Sequence, residues 1–190
     1  MIIGADQKST LAAGNEFLER LLEEYRKSFD IVRDYEIGGI TASAYGFFST
    51  ISEKYVLSPK ANLWSVHGFE HILFLPCDEI TIKDLEDLKE LMAVHMAPQL
   101  VCKGHKYPEK DHMYSYLTVA LLCDHTPDNE TIKCLERFRF EKNYLATIRG
   151  YAEGHLVLLD LSSGCAYTNK AAKHLKEYYE RIFRGTSAEI

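Results

Sequence analysis

Residues 114–123 constrain the fold of this chain more than any other segment, because they contain a continuous apolar run. A strand with one face in water alternates apolar and polar side chains, whereas a strand covered on both faces is apolar throughout. The run therefore predicts a strand at the centre of a sheet. It is far shorter than the roughly 18 residues that cross a bilayer, so no membrane segment is expected.

Four helices are predicted around this strand. Periodic apolar positions predict an amphipathic helix over 15–29. Caps and prolines predict a second helix from Thr81 to Pro98, a short third opened by Thr126-Pro127, and a last one from Thr168-Asn169 to near Gly185. Runs of β-branched and aromatic residues predict strands over 39–50, 54–57, 63–66 and 69–75, and again between Phe138 and Leu161.

These elements predict an α+β fold, with a mostly antiparallel sheet of about 6–8 strands flanked by about four helices. The 190 residues fit one domain, placed at 14–185 between loose ends at 1–13 and 186–190. The first residues lack the apolar core of a secretory signal, which predicts a cytoplasmic protein. Five widely spaced cysteines without a Cys-x-x-Cys pair predict reduced thiols.

Charge is unevenly distributed along the chain. The formal net charge is −6, yet residues 133–190 carry 10 basic and 7 acidic side chains. With Tyr144 and Tyr167 nearby, these cations could contact phosphates, although interleaved glutamates dilute them. The cations concerned are Arg137, Arg139, Lys142, Arg149, Lys170, Lys173, Lys176, Arg181 and Arg184. Weak nucleic-acid binding is therefore one alternative function, beside solvated faces or a homodimer contact between opposite charges.

The polar segment after the second helix carries the strongest candidates for chemistry. Cys102 and His105 form a Cys-x-x-His pair, and His112 follows at the entrance of the buried strand. Thiolate and imidazole both bind zinc, so zinc is the one cofactor these residues could take, although a fourth ligand has no diagnostic spacing. Asp160 is the only acid in an apolar strand, which makes it either functional or paired at the strand end.

Several familiar motifs are missing. The chain has no Gly-x-Ser-x-Gly elbow, no Gly-x-Gly-x-x-Gly turn and no P-loop. His67 and His71 lack the order of a zincin motif, although in a strand residues four apart face the same side. The leading hypothesis is a non-catalytic module that binds an unidentified protein or small molecule. The alternative is a hydrolase, with or without a metal, that uses His105, His112 and Asp160.

Two short motifs carry a resemblance to a known family. The segments Asp111-His112-Met113-Tyr114-Ser115-Tyr116 and Tyr167-Thr168-Asn169-Lys170 resemble an uncharacterised family from anaerobic Gram-positive bacteria. In that family a His-Met segment precedes a hydrophobic strand, and a Tyr-Thr-Asn segment opens a carboxy-terminal helix. The resemblance covers most of the chain after residue 15 and implies no activity.

Overall fold

The protein folds as a mixed sheet with helices on both faces. The structure is a computed structural model that describes residues 11–54 and 64–185, with side chains described for 14–50 and 67–185. The helices are α1 (Leu11–Tyr25), α2 (Ile82–Glu90), α3 (Asn129–Arg137) and α4 (Lys176–Phe183). A π-helical segment (Leu91–Val101) continues α2, and a 3-10 turn (Lys173–Leu175) precedes α4. None of these helices is long and apolar enough to cross a membrane.

The strands are β1 (Asp30–Ile37), β2 (Ile40–Lys54), β3 (Trp64–Cys77), β4 (His112–Cys123), β5 (Glu141–Asn143), β6 (Tyr151–Asp160) and β7 (Cys165–Thr168). Their order is β1-β2-β3-β4-β6-β5, and β7 also pairs with β6. Four pairings are antiparallel, but β3, β4 and β6 are mutually parallel. The sheet is therefore mixed, because helical crossovers return the chain to the same end of the sheet after β3 and after β4.

Strand β4 lies at the centre of the sheet, as its apolar run predicts. Leu117, Val119 and Leu121 pack with α2, the π-helical segment and α3. Ala120 and Leu122 pack with α1 and α4 on the opposite face. Strands buried on both faces are typical of parallel sheets covered by helices on both sides. The apolar run at 114–123 therefore also indicated that the central strands are parallel.

Local signals placed the start of α2 correctly, but α1 begins at Leu11 rather than Asn15, and α4 begins at Lys176 rather than after Asn169. Thr81 caps α2 in a reciprocal capping box with Asp84. The helix does not end at Pro98, because a π-helical segment already departs from the bonding ladder that proline breaks. The cap of α3 is Asp128 rather than Thr126, since its carboxylate accepts bonds from two backbone amides of the first turn.

The predicted strand after Phe138 is mostly a turn. Within this segment, only the three residues of β5 form a strand, which pairs with β6. In the turn that follows, Leu145, Ala146 and Thr147 have φ between 49° and 70°. Ile148, at the end of this turn, is 78% exposed. The alternating apolar residues of this segment resemble a strand although the backbone follows a left-handed turn. Residues 1–10, 55–63 and 186–190 lie outside the described residues, and with them positions 55–57 of the predicted strand at 54–57 and position 63 of the predicted strand at 63–66.

The prediction of five reduced thiols is wrong for one pair. Cys77 and Cys123 are register partners at the ends of β3 and β4, with Cα atoms 4.8 Å apart, and they form a disulfide. Cys102, Cys134 and Cys165 are free. The disulfide joins positions 46 residues apart, so only the parallel register of the two strands brings the thiols together.

Candidate functional site

The residues predicted for zinc binding do not converge. Cys102 is buried beside the Tyr144 hydroxyl, and His105 is exposed on the following loop. Both ring nitrogens of His112 make hydrogen bonds to other groups. Within the described part of the chain, these three residues do not gather their ligand atoms within 4.8 Å of one another.

Asp160 lies at the opposite end of the sheet from His112. It pairs with Cys123 at the end of β4, whereas His112 begins that strand. Its carboxylate accepts hydrogen bonds from the side chains of Thr126, Ser162 and Ser163. Burial alone would raise the pKa of Asp160, but these hydrogen bonds outweigh it and lower the pKa. Asp160 therefore stabilises the turn that follows β6. Because it lies at the opposite end of the sheet from His112, the two residues do not form one site.

His112 forms a fixed pair with Ser115 on the side of the π-helical segment. Its Nδ1 lies 2.8 Å from the Arg149 carbonyl oxygen, and its Nε2 lies 2.8 Å from Ser115 Oγ. A carbonyl only accepts, so Nδ1–H donates to it and the bare Nε2 of the neutral ring accepts the Ser115 hydroxyl. Burial lowers the pKa of His112 and keeps the ring neutral. Ser115 has no exposed surface, so this nucleophile-and-base geometry does not meet solvent.

The carboxyl ends of the parallel strands do not form the crevice that many open α/β sheets use. Such a crevice opens where successive crossovers leave in opposite directions. Here α2 and α3 both lie on one face, and β3, β4 and β6 follow one another in the sheet without reversal. The described strands and helices therefore form no switch point at that edge.

The opposite half of the sheet carries a polar and aromatic surface on the α1 and α4 side. Side chains two residues apart on a strand share a face. Upstream of the apolar residues that pack on α1 and α4, each parallel strand therefore presents polar or aromatic side chains on that face. We call this surface the tyrosine face and define it as Glu70, Tyr114, Tyr116, Tyr151 and His155.

The rings of the tyrosine face form a connected layer. Tyr116 stacks on His155 with centroids 4.5 Å apart, and Tyr114 lies 4.9 Å from Tyr116. A Cβ at Gly68 would come within 2.3 Å of the Tyr114 ring, so that ring rests on bare backbone. Gly68 was predicted to break a strand, but it lies within β3 and makes room for Tyr114.

His155 is the most unusual member of the face. It is only 1% exposed, and its Nδ1 has no hydrogen-bond partner. Its Nε2 lies 3.6 Å from a Glu153 carboxylate oxygen. Burial, followed by the nearby His174, lowers the pKa of His155 to about 4, so the ring is neutral at pH 7. A buried nitrogen without a partner is rare in folded proteins and costs stability.

Glu70 adds a carboxyl to the same surface. Burial raises its pKa, and the hydrogen bond donated by Thr118 Oγ1 at 3.1 Å opposes that rise. Perturbed titratable groups beside half-buried aromatic rings are a common feature of binding sites. Sequence reasoning missed this face, although the alternation Tyr114-x-Tyr116-x-Thr118 and Glu153-x-His155 within apolar strands was a usable signal.

Fold and surface together define a three-layer α/β/α domain with a half-buried polar face at the amino ends of its parallel strands. The chain belongs to the family described as "Domain of unknown function (DUF8052)", whose model matches residues 13–181. This agrees with the resemblance to an uncharacterised family. No curated protein and no solved structure matches the chain.

Proposed function

We propose that the protein is a binding domain whose tyrosine face takes a small organic ligand with a planar ring and a hydrogen-bond donor. The observation that carries the proposal is the buried, neutral His155 with an unpartnered Nδ1. We assign the proton of the neutral ring to Nε2, which lies 3.6 Å from a Glu153 carboxylate oxygen, so that Nδ1 is a bare acceptor. A ligand N–H or O–H supplies its missing partner, and the stacked tyrosines receive the ring.

A stability measurement separates a binding role from a structural one. If His155 is retained for binding, an apolar side chain can replace it without loss of stability, because the replacement removes an unsatisfied buried polar atom. We therefore expect His155→Phe to leave the free energy of unfolding unchanged or to raise it by about 1 kcal/mol. The matched control is His71→Phe, which is expected to destabilise because the Nδ1 of this equally buried histidine is bonded to the Tyr45 hydroxyl at 2.8 Å.

Indole and 1-methylindole serve as a matched pair of probes, since only indole offers an N–H to His155. We expect indole to shift the ring resonances of Tyr116 and His155 in NMR spectra, and 1-methylindole to bind about 10-fold more weakly. His155→Phe should abolish the difference between the probes. Equal binding of both probes, or shifts away from the tyrosine face, would contradict the proposed ligand chemistry.

A hydrolase is the second candidate, because Ser115 and His112 have the geometry of a nucleophile and its base, although Ser115 has no exposed surface. The predicted combination of His105, His112 and Asp160 offers no support, because these residues lie apart. A fluorophosphonate probe should label wild-type protein and spare Ser115→Ala if the serine is reactive. Absence of label on the wild-type protein removes this candidate.

Nucleic-acid binding stays a prediction with weaker support. Lys176 and Arg181 of α4, and Arg184 directly after it, all form ion pairs with glutamates of that helix. These pairs reduce the positive field that phosphates would meet. A gel-shift titration with single- and double-stranded DNA at low salt tests it, and no shift at micromolar protein would exclude it.

A further inference from the structure

A group of metal-binding donors lies at the amino ends of β3 and β4, on the other side of the sheet from the tyrosine face. His67 of β3 meets Glu109 and Asp111 of the loop before β4, and their ligand atoms all lie within 4.8 Å of one another. Within this group His67 Nδ1 lies 3.5 Å from Asp111 Oδ2. Donors around one ion at about 2.1 Å lie roughly 3–4 Å apart, so small side-chain rotations close the set.

The backbone holds these donors together independently of any ion. The amide of His67 donates to the Asp111 carbonyl at 3.0 Å, and the amide of His112 donates to the Glu109 carbonyl at 3.2 Å. The donors therefore come from two segments that are hydrogen-bonded to each other. Binding an ion would require little ordering of the loop.

A small pocket adjoins Glu109. Polar His71, His112 and Ser115 line it together with apolar side chains, and it leaves about 20 Å³ for the centre of a water molecule. This space exceeds the roughly 10–15 Å³ that one water needs, so the pocket has room for a water ligand of an ion held at Glu109.

We infer that His67, Glu109 and Asp111 bind a divalent cation of the Mn²⁺ or Zn²⁺ class. One imidazole and two carboxylates suit such ions, and three protein ligands leave positions open for water. The competing group is Lys103, whose Nζ lies 2.8 Å from a Glu109 oxygen. The ion replaces this exposed pair, so Lys103 lowers the affinity of the site. The site differs from the predicted zinc ligands Cys102, His105 and His112 and does not rest on the proposed ligand of the tyrosine face.

Mn²⁺ is the suitable probe, because Zn²⁺ would also bind the free thiols of Cys102, Cys134 and Cys165. Titration of the full chain, followed by the electron paramagnetic resonance signal of free Mn²⁺, should give one ion per chain. We expect Asp111→Asn and Glu109→Gln each to weaken binding about 10-fold or more. Circular dichroism checks that both variants remain folded.

Two further variants make the result decisive. Lys103→Met should tighten Mn²⁺ binding, because it removes the cation that pairs with Glu109. The exposed His105 lies on the same loop outside the donor group, so His105→Gln should leave the affinity unchanged. No binding at 1:1 stoichiometry, unchanged affinity in Asp111→Asn, or a loss in His105→Gln would each overturn the assignment.

Discussion

Asn169 offers the sharpest test of how the domain is held together. Its side chain takes the place of a strand along the free edge of β6, in the gap between β5 and β7. The amide oxygen accepts from the backbone amides of Leu156 and Ala172 at 3.0 and 3.1 Å. The amide nitrogen donates to the carbonyls of Gly154 and Phe138 at 2.9 and 3.2 Å.

Asn169→Ala removes four hydrogen bonds at a buried position. At about 1 kcal/mol for each bond, the free energy of unfolding should fall by about 4 kcal/mol. In a domain of this size that loss lowers the melting temperature by about 10 °C. Urea denaturation followed by circular dichroism measures it. The matched control is Asn143→Ala, which removes an exposed amide bonded only to Glu141 and should cost less than about 0.5 kcal/mol.

Asn169→Asp tests the direction of the hydrogen bonds. The carboxylate keeps both acceptor contacts but turns an oxygen towards two carbonyl oxygens, which raises its folded-state pKa above the unfolded value. This variant should therefore lose stability as pH rises from about 4 through that raised pKa. A loss below about 1 kcal/mol in Asn169→Ala, or a pH-independent Asn169→Asp, would refute the edge-strand role.

Three further outcomes follow from the structure. Burial lowers the pKa of both His71 and His155 to about 4, so as the pH falls the unfolded chain binds protons at these histidines before the folded one does. The free energy of unfolding should therefore fall by about 3 kcal/mol for each histidine between pH 6.5 and pH 4. Urea denaturation across this range measures the change, and a pH-independent free energy of unfolding would contradict it. Thiol titration of the denatured, unreduced protein should find three free cysteines rather than five, and reduction of the Cys77–Cys123 disulfide, which closes a separation of 46 residues, should cost up to about 4 kcal/mol. Thr147→Gly should raise stability by about 1 kcal/mol, because a β-branched residue at φ 70° is strained; a measured loss would show that the left-handed turn is not under strain.

Features written in short stretches of sequence were predictable. The helix cap at Thr81 depends on neighbours within a few residues, and the central position of 114–123 depends on one apolar run. Asn169 was predicted as a cap, and it does accept from Ala172, three residues ahead. Its bonds to Gly154 and Phe138 could not be predicted, because they depend on which strand edge the carboxy-terminal segment reaches.

The candidate site was harder to predict, because it depends on register and on helix coverage. The disulfide and the donors around His67 arise from the parallel register between β3 and β4, which no local pattern specifies. The zinc prediction used residues close in sequence, Cys102 and His105, yet the loop that contains them turns one inward and the other into solvent. The metal-binding donors and the residues of the tyrosine face are brought together by neighbouring strands and not only by proximity in sequence.

The tyrosine face is a geometric consequence of unequal layers. Strand β4 has 12 residues and spans about 40 Å, whereas α1 with 15 residues spans about 22 Å and α4 with 8 residues about 12 Å. Even if α1 lay along the strand, it would leave nearly half of that strand face uncovered by itself. Apolar residues there would make an exposed hydrophobic patch. Fully polar residues would gain no stabilisation from the partial burial that the neighbouring helices provide. Half-buried tyrosines, a neutral histidine and a carboxyl suit that boundary, and the proposed ligand would cover the part of the strand face that the helices leave open.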